Sequence, residues 1–278
     1  MTRLAGSLGF FFCCSLLLMA AVAPAAEDND QNITGLQLAQ RVYDRPKGQD
    51  ASARVVMSLQ SEKSDPRLRL LYSYAKDKGT SQRWTLMRFM TPADIEGTGL
   101  LTRDSAGADS EQWLYLPALD RVRRISSSRR GGRFVGSDFF YEDLRDREVA
   151  KDEHTLIGKE RIGDIECYQL ESVPVDSDNS VYSRRVSWIH PELLIPLRID
   201  YYTRGSDQAI KRMTARKIGK VQGYWTVYSS RMQNLKTGHT THLDISQIVY
   251  DQSLPDNLFS HQALADDSAE LAFRPQGS

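Results

Sequence analysis

The chain has 278 residues, with 36 Lys and Arg against 36 Asp and Glu, and so carries no net formal charge. That balance argues against a general nucleic-acid binder, whose non-specific affinity follows net and clustered positive charge. Cysteine usage excludes a disulfide scaffold: Cys13 and Cys14 lie in the apolar leader, and Cys167 is left alone.

Residues 1–25 read as a secretory signal peptide, with Arg3 near the start, an apolar run to Val22 and small residues at Ala23 and Ala25. Cleavage is expected after Ala25, with Ala26 as the alternative. No later segment reaches the roughly 18 apolar residues of a spanning helix. The expected product is an exported chain of one domain, 26–278, held by an apolar core and ending in a polar, flexible tail after 265.

Next, Ile33, Leu36, Ala39 or Gln40, and Tyr43 recur at helical spacing before Pro46, which predicts one short amphipathic helix. Beyond Pro46 the chain reads mostly as strand: 54–60, 67–75, 83–90, 111–117, 167–175, 182–189, 193–202, 209–218, 224–235 and 241–250. Strands this closely spaced, with few helices to cross between them, predict an antiparallel sheet or barrel. Leu193, Ile195, Leu197, Ile199 and Tyr201 share one side of the strand while Arg198 and Asp200 point the other way, which predicts one dry face. Elsewhere both faces are apolar. Trp84, Leu86 and Met90 oppose Met87 and Phe89, and Trp113 and Tyr115 oppose Leu114 and Leu116, so either a cover or a cavity lies on the second face.

Local chemical motifs are scarce. The histidines at 154, 190, 239, 242 and 261 show no metal-ligand spacing, and HExxH, CxxC and GxSxG are absent. Neither metal nor cofactor is expected, and an enzyme is not; a periplasmic hydrolase remains the lesser alternative, because a triad assembled in three dimensions leaves no local trace. Gly131, Gly136 and Ser137 mimic a P-loop, but the lysine before the serine is missing. Those glycines fit tight bends, with Ser137 or Asp138 capping a short helix that begins near Phe139.

The stretch from Arg121 to Arg133 holds six arginines in thirteen residues, followed at once by Asp138, Glu142, Asp143, Asp146 and Glu148. A polyanion lying on that surface would meet both signs. Pairing of arginine with acid across the loop is the simpler expectation, with 121–125 as a strand and 126–132 as a loose loop.

The residues WLYLPALDRVRRI followed by GSDFFYEDL resemble the outer-membrane lipoprotein-sorting proteins, the LolA-like family. VSWIHPELLIPLRIDYYTRGSDQAIKRM, VQGYWTVYSSRMQNLKTGHTTHLDI and LPDNLFSHQAL extend the resemblance over nearly all of 26–278, most closely to the longer branch associated with RND or MMPL-type transporters. The resemblance implies a mainly β fold, an unclosed antiparallel β-barrel whose concave side is partly plugged by a few short helices. It implies a periplasmic carrier that takes acyl chains of a lipoprotein or lipid from an inner-membrane exporter toward the outer membrane. The alternative is an accessory protein that docks on such a transporter and carries nothing. The expected cavity wall is Trp84, Leu86, Met87, Phe89, Trp113, Tyr115, Trp188 and Trp225. The expected lid or docking loop is Arg124, Arg129, Arg130, Arg133, Phe139, Phe140 and Tyr141.

Overall fold

The computed structural model describes residues 1–2, 33–61, 64–79, 82–107 and 109–275. The chain divides into two units, Met1–Ile33 and Thr34–Ser278, and the second carries the fold. The signal peptide expected at 1–25 lies outside the described residues, apart from its first two.

The second unit opens with helix α1, Gly35–Tyr43. A capping box starts it: Gln37 N–H donates to Thr34 Oγ1 at 3.2 Å, and Thr34 N–H donates to Gln37 Oε1 at 2.9 Å. Its buried residues are Gly35, Leu38 and Ala39, whereas Leu36 is 57% exposed. The helical face is thus rotated from the one expected, because Leu38, flanked by the small residues Gly35 and Ala39, makes the contact in place of Leu36. A Cβ on Gly35 would come within 2.4 Å of the His154 carbonyl oxygen, so only glycine admits this approach.

Thirteen strands come after it: β1 (Asp50–Ser61), β2 (Ser64–Asp77), β3 (Arg83–Thr91), β4 (Gly99–Arg103), β5 (Glu111–Leu116), β6 (Arg121–Arg124), β7 (Asp152–Ile162), β8 (Ile165–Pro174), β9 (Arg184–Ile189), β10 (Pro196–Tyr202), β11 (Lys211–Val221), β12 (Tyr224–Asn234) and β13 (Thr240–Tyr250). They form one antiparallel sheet in the order β6-β5-β4-β3-β2-β1-β13-β12-β11-β10-β9-β8-β7. The ends β6 and β7 do not pair, so the sheet is unclosed. Only the β1–β13 junction joins strands distant in sequence, through pairs such as Met57 with Leu243. Strands β4 and β7 are not among those expected from sequence. The expected strand 193–202 is shorter, because Leu194 turns at φ 53° and the register shifts between Pro196 and Arg198. That shift packs Leu197 with Trp188 and Cys167, away from the side that Ile199 and Tyr201 face.

The two faces of the sheet are covered by different parts of the chain. The inner face of β1 to β4, with Val55, Met57, Leu71, Phe89 and Leu100, packs against Phe134, Val135, Tyr141 and Leu144. Across β10 to β12 the same face presents Ile199, Tyr201, Met213 and Met232 to Phe139 and Phe140. The outer face of β2 to β6 is roofed by the C-terminal segment. There Tyr74, Leu86, Leu101, Trp84, Trp113 and Tyr115 pack against Leu254, Leu258, Phe259 and Leu264. That roof includes helix α2, His261–Ala265.

The segment after 265 is therefore not a loose tail. It forms a 3-10 helix, Asp267–Phe273, whose Glu270 is fully buried and accepts from Arg88 Nε at 2.6 Å. The other Arg88 nitrogens donate to the carbonyls of Gly97, Ala263 and Leu264. A polar composition hid this contact, since a buried ion pair anchors the segment together with Ala269 and Phe273, which pack against the outer-face cluster.

Candidate functional site

The inner face and the segment that fills it, 126–148, form the most developed site in the fold. The segment crosses the sheet as a chain of short turns: Ser127–Arg129, Phe134–Gly136 and Tyr141–Leu144 are each a single 3-10 turn. No capped helix starts at Phe139. Val135 at φ 46° and Gly136 at φ 73° reverse the backbone instead, and Arg133 bridges to Phe140. Phe134 lies against Phe89 with ring centroids 5.5 Å apart, and Phe140 stacks on Tyr182 at 6.0 Å.

Three carboxylates of GSDFFYEDL fasten this apolar filling. Asp138 Oδ2 accepts from Thr241 Oγ1 at 2.8 Å and lies 2.5 Å from His239 Nδ1. Glu142 accepts from the Val181 N–H at 2.8 Å and from the Ser180 hydroxyl. Asp143 accepts from Tyr182 Oη at 2.7 Å, from Phe140 N–H at 2.6 Å and from Lys211 Nζ at 2.5 Å. Lys211 is buried beneath the Phe140 ring, 3.6 Å from its centroid, and also donates to the Asp138 carbonyl at 3.1 Å. Burial lowers its pKa, with Asp143 opposing the shift, and burial together with Asp143 holds Tyr182 well above its ordinary range. The acids that come after the arginines therefore point mostly into the body of the sheet.

Beside this clamp a cavity of about 280 Å³ remains between α1, residues 142–149 and the inner face of β7 to β10. Its wall is apolar at Ala39, Val42, Leu170, Ile189, Pro196 and Ile199, and charged at Arg147, Asp152 and Arg185. Asp152 is held by Arg147 at 2.9 Å and by Arg185. His154 and Ser172 also line it, with Nδ1 2.9 Å from the serine hydroxyl and Nε2 2.9 Å from the Val149 carbonyl. The carbonyl takes the Nε2 proton, so Nδ1 accepts from Ser172, and burial keeps the ring below its ordinary pKa.

The eight expected wall residues divide between the two faces. Met87 and Phe89 lie on the inner face against Phe134. Trp84, Leu86, Trp113 and Tyr115 lie on the outer face beneath the C-terminal roof. Trp188 faces outward too: its indole donates to Glu160 at 2.9 Å and Arg198 stacks on it at 4.0 Å. Trp225 is 37% exposed, with Lys220 over its ring. Six of the eight thus turn away from the inner face, because the sheet is apolar on both sides and alternation does not name the side.

Among the expected lid residues, Phe139 is buried and Phe140 and Tyr141 are half-buried, all three within the inner filling. Arg133 reaches Asp138 at 3.2 Å and the Ser137 carbonyl at 2.8 Å. Arg124 is exposed and paired with Glu111 at 2.7 Å, Arg129 is exposed, and Arg130 is buried on Asp109 at 2.7 Å. Lys211 and His239 carry no local motif that marks them, whereas Asp143 stands inside GSDFFYEDL; the dense acid run after FFY is the one signal in the sequence that something cationic lies beneath it. Among the described residues no group of three His, Cys, Asp or Glu could hold a metal ion, and no helix is long and apolar enough to cross a membrane.

Near the segment's exit, buried Asp104 accepts from Asp146 N–H at 3.1 Å, and burial pushes its carboxyl up to about 6. An unfolded aspartate titrates near about 3.9, so this group is protonated in both states in strong acid and favours the folded chain there. As pH rises through about 6 the folded chain must bury the charge, a loss of roughly 3 kcal/mol. Asp104→Asn is expected to raise Tm near neutral pH and to flatten its dependence between about pH 4 and 6. A variant whose Tm follows the parent's across that range would contradict the assignment.

The comparisons match this architecture. A family model described only as "uncharacterized protein" covers residues 81–266. Among solved structures, a DUF1329 family protein from Desulfovibrio piger is 34% identical, with a TM-score of 0.78 over 83% of this chain and 97% of that one. A domain assigned to outer-membrane lipoprotein sorting, from Vibrio parahaemolyticus, is 31% identical, with a TM-score of 0.79 over 83% of this chain and 98% of that one. A LolA superfamily protein from Nitrosomonas europaea, at 18% identity, shares the fold with a TM-score of 0.67 over 84% of this chain and 100% of that one. No curated protein matches. With an unclosed antiparallel sheet of LolA type and this identity over most of its length, the chain belongs to the DUF1329 family.

Proposed function

We propose that the protein is a carrier of the cell envelope, working in the periplasm, that binds acyl chains of a lipoprotein or lipid on the inner face of its sheet. It receives them from an inner-membrane exporter of RND or MMPL type and passes them toward the outer membrane. One observation carries this reading: the inner face is apolar, and a segment of short turns fills it, held by polar contacts rather than by regular secondary structure. The solved relative assigned to lipoprotein sorting supports it.

The physics of release favours such a filling. Burying an acyl chain of roughly sixteen carbons would be worth about 12 kcal/mol if every methylene left water for good. A carrier that tight would not hand its cargo on. Here the free cavity, about 280 Å³, is just smaller than the roughly 300–1,000 Å³ of ordinary ligand sites, so a long chain must displace aromatic residues of 126–148. Cargo then replaces contacts already made, and the net affinity stays modest.

The test is native mass spectrometry and lipid extraction of protein purified without detergent, with binding of a fluorescent fatty acid alongside. Copurifying lipid whose retention changes in Phe139→Ser with Phe140→Ser supports the carrier. Protein that never retains lipid or protects the probe, yet binds a transporter, would make it the accessory protein instead. The Ser172–His154 pair favours a hydrolase as the second reading. Turnover of an acyl ester that disappears in Ser172→Ala would establish that in place of carriage.

A further inference from the structure

A second cavity, of about 320 Å³, lies at the β5–β6 end of the sheet, and its lining includes Ser110, Gln112, Arg124, Ser127, Arg130 and Arg145. Arg145 is the unusual member. Its side chain is 8% exposed, yet Nε and Nη1 have no hydrogen-bond partner. Buried guanidinium donors left unpaired are costly, and native proteins nearly always satisfy them.

The one acid among the lining residues is Asp109. Its Oδ2 accepts from Arg130 Nη2 at 2.7 Å, and its Oδ1 lies 4.0 Å from Arg145 Nη2. A single carboxylate thus sits between two buried guanidinium groups. It is itself 54% exposed on a surface loop, so it can turn to solvent when another anion takes its place between the guanidinium groups. Of the other nearby acids, Glu142 is bonded to Ser180 and Val181, Glu111 to Arg124, and Asp104 to the Asp146 amide through Oδ2, its Oδ1 being a second buried atom without a hydrogen-bond partner.

We infer that the cavity between Arg130 and Arg145 is an anion subsite for a phosphoryl group, whose place the Asp109 carboxylate holds in the free protein. Planar guanidinium groups pair with phosphoryl oxygens two at a time. Ser126 and Ser127 add hydroxyl donors at the rim, so the donors outnumber what one carboxylate oxygen pair can take. The subsite communicates with the inner filling, because Gln112 in its wall donates to the Tyr141 carbonyl at 2.9 Å. The source of the phosphoryl group is the headgroup of the carried lipid, a point that rests on the carrier reading; the subsite itself does not.

The experiment titrates the full chain with inorganic phosphate, with dioctanoyl phosphatidic acid and with dioctanoylglycerol, which has the same chains without phosphate. Phosphatidic acid is expected to bind about tenfold more tightly than dioctanoylglycerol, and Arg145→Gln to remove that difference. Asp109→Asn, which removes the competing carboxylate from an exposed position, is expected to tighten inorganic phosphate by about threefold or more. Phosphate binding with no preference for phosphatidic acid would keep the subsite and make free phosphate its ligand. Phosphate binding with neither lipid bound would leave the subsite standing and defeat the carrier. Failure of phosphate and phosphatidic acid to bind better than dioctanoylglycerol, in both the parent and Asp109→Asn, overturns the subsite.

Discussion

Replacing Asp143 with leucine is expected to destabilise the fold by about 3–5 kcal/mol, the range for removing one partner of a buried ion pair. The side chains of Asp143 and Lys211 are each only 2% exposed, so the lysine left behind cannot reach water without opening the segment. The same substitution strips the acceptor from the Tyr182 hydroxyl and the Phe140 amide. Combining it with Lys211→Met removes the orphaned charge, and the double variant should recover part of the loss, because an apolar pair of similar volume avoids the desolvation penalty. Urea unfolding of the parent, both single variants and the double variant gives the coupling directly. A single Asp143→Leu variant within about 1 kcal/mol of the parent would show that the pair is solvated and does not fasten the segment.

This clamp also marks the limit of what is legible in the sequence. Period-two alternation reveals most strands, and the run GSDFFYEDL points to the segment that matters. Alternation reports that a strand has a dry face, though not whether a cavity or another part of the chain keeps it dry. On β3 and β5 both faces are apolar, and the tryptophans that look like cavity wall support the C-terminal roof instead. Strand β7 escapes notice because its inward residues include Asp152 and His154, polar groups satisfied by Arg147, Arg185, Ser172 and the Val149 carbonyl, partners that periodicity does not reveal. Lys211 is hidden for the same reason. A lysine in a strand reads as solvated until the acid run folds over it, and that meeting spans 68 residues.

The second large effect concerns Phe134, which is 1% exposed and packs between Phe89 and Tyr141. Phe134→Ala is expected to lower stability by about 3–5 kcal/mol, the usual range for emptying a buried phenylalanine site. If segment 126–148 occupies the place of cargo, part of that loss returns as affinity, since a ligand binds more tightly when its competitor is weakened. Each 1.4 kcal/mol of weakened filling then gives about tenfold tighter binding of a fluorescent fatty acid. Trp113→Ala is the matched control: it removes an aromatic residue from the outer face beneath the C-terminal roof, so it should lower Tm without raising affinity. The opposed responses of the two variants separate occupation of the site from general loosening of the fold. Were Phe134→Ala to lower both Tm and fatty-acid affinity, the aromatic residues of 126–148 would belong to the binding wall, and cargo would add to the filling rather than displace it.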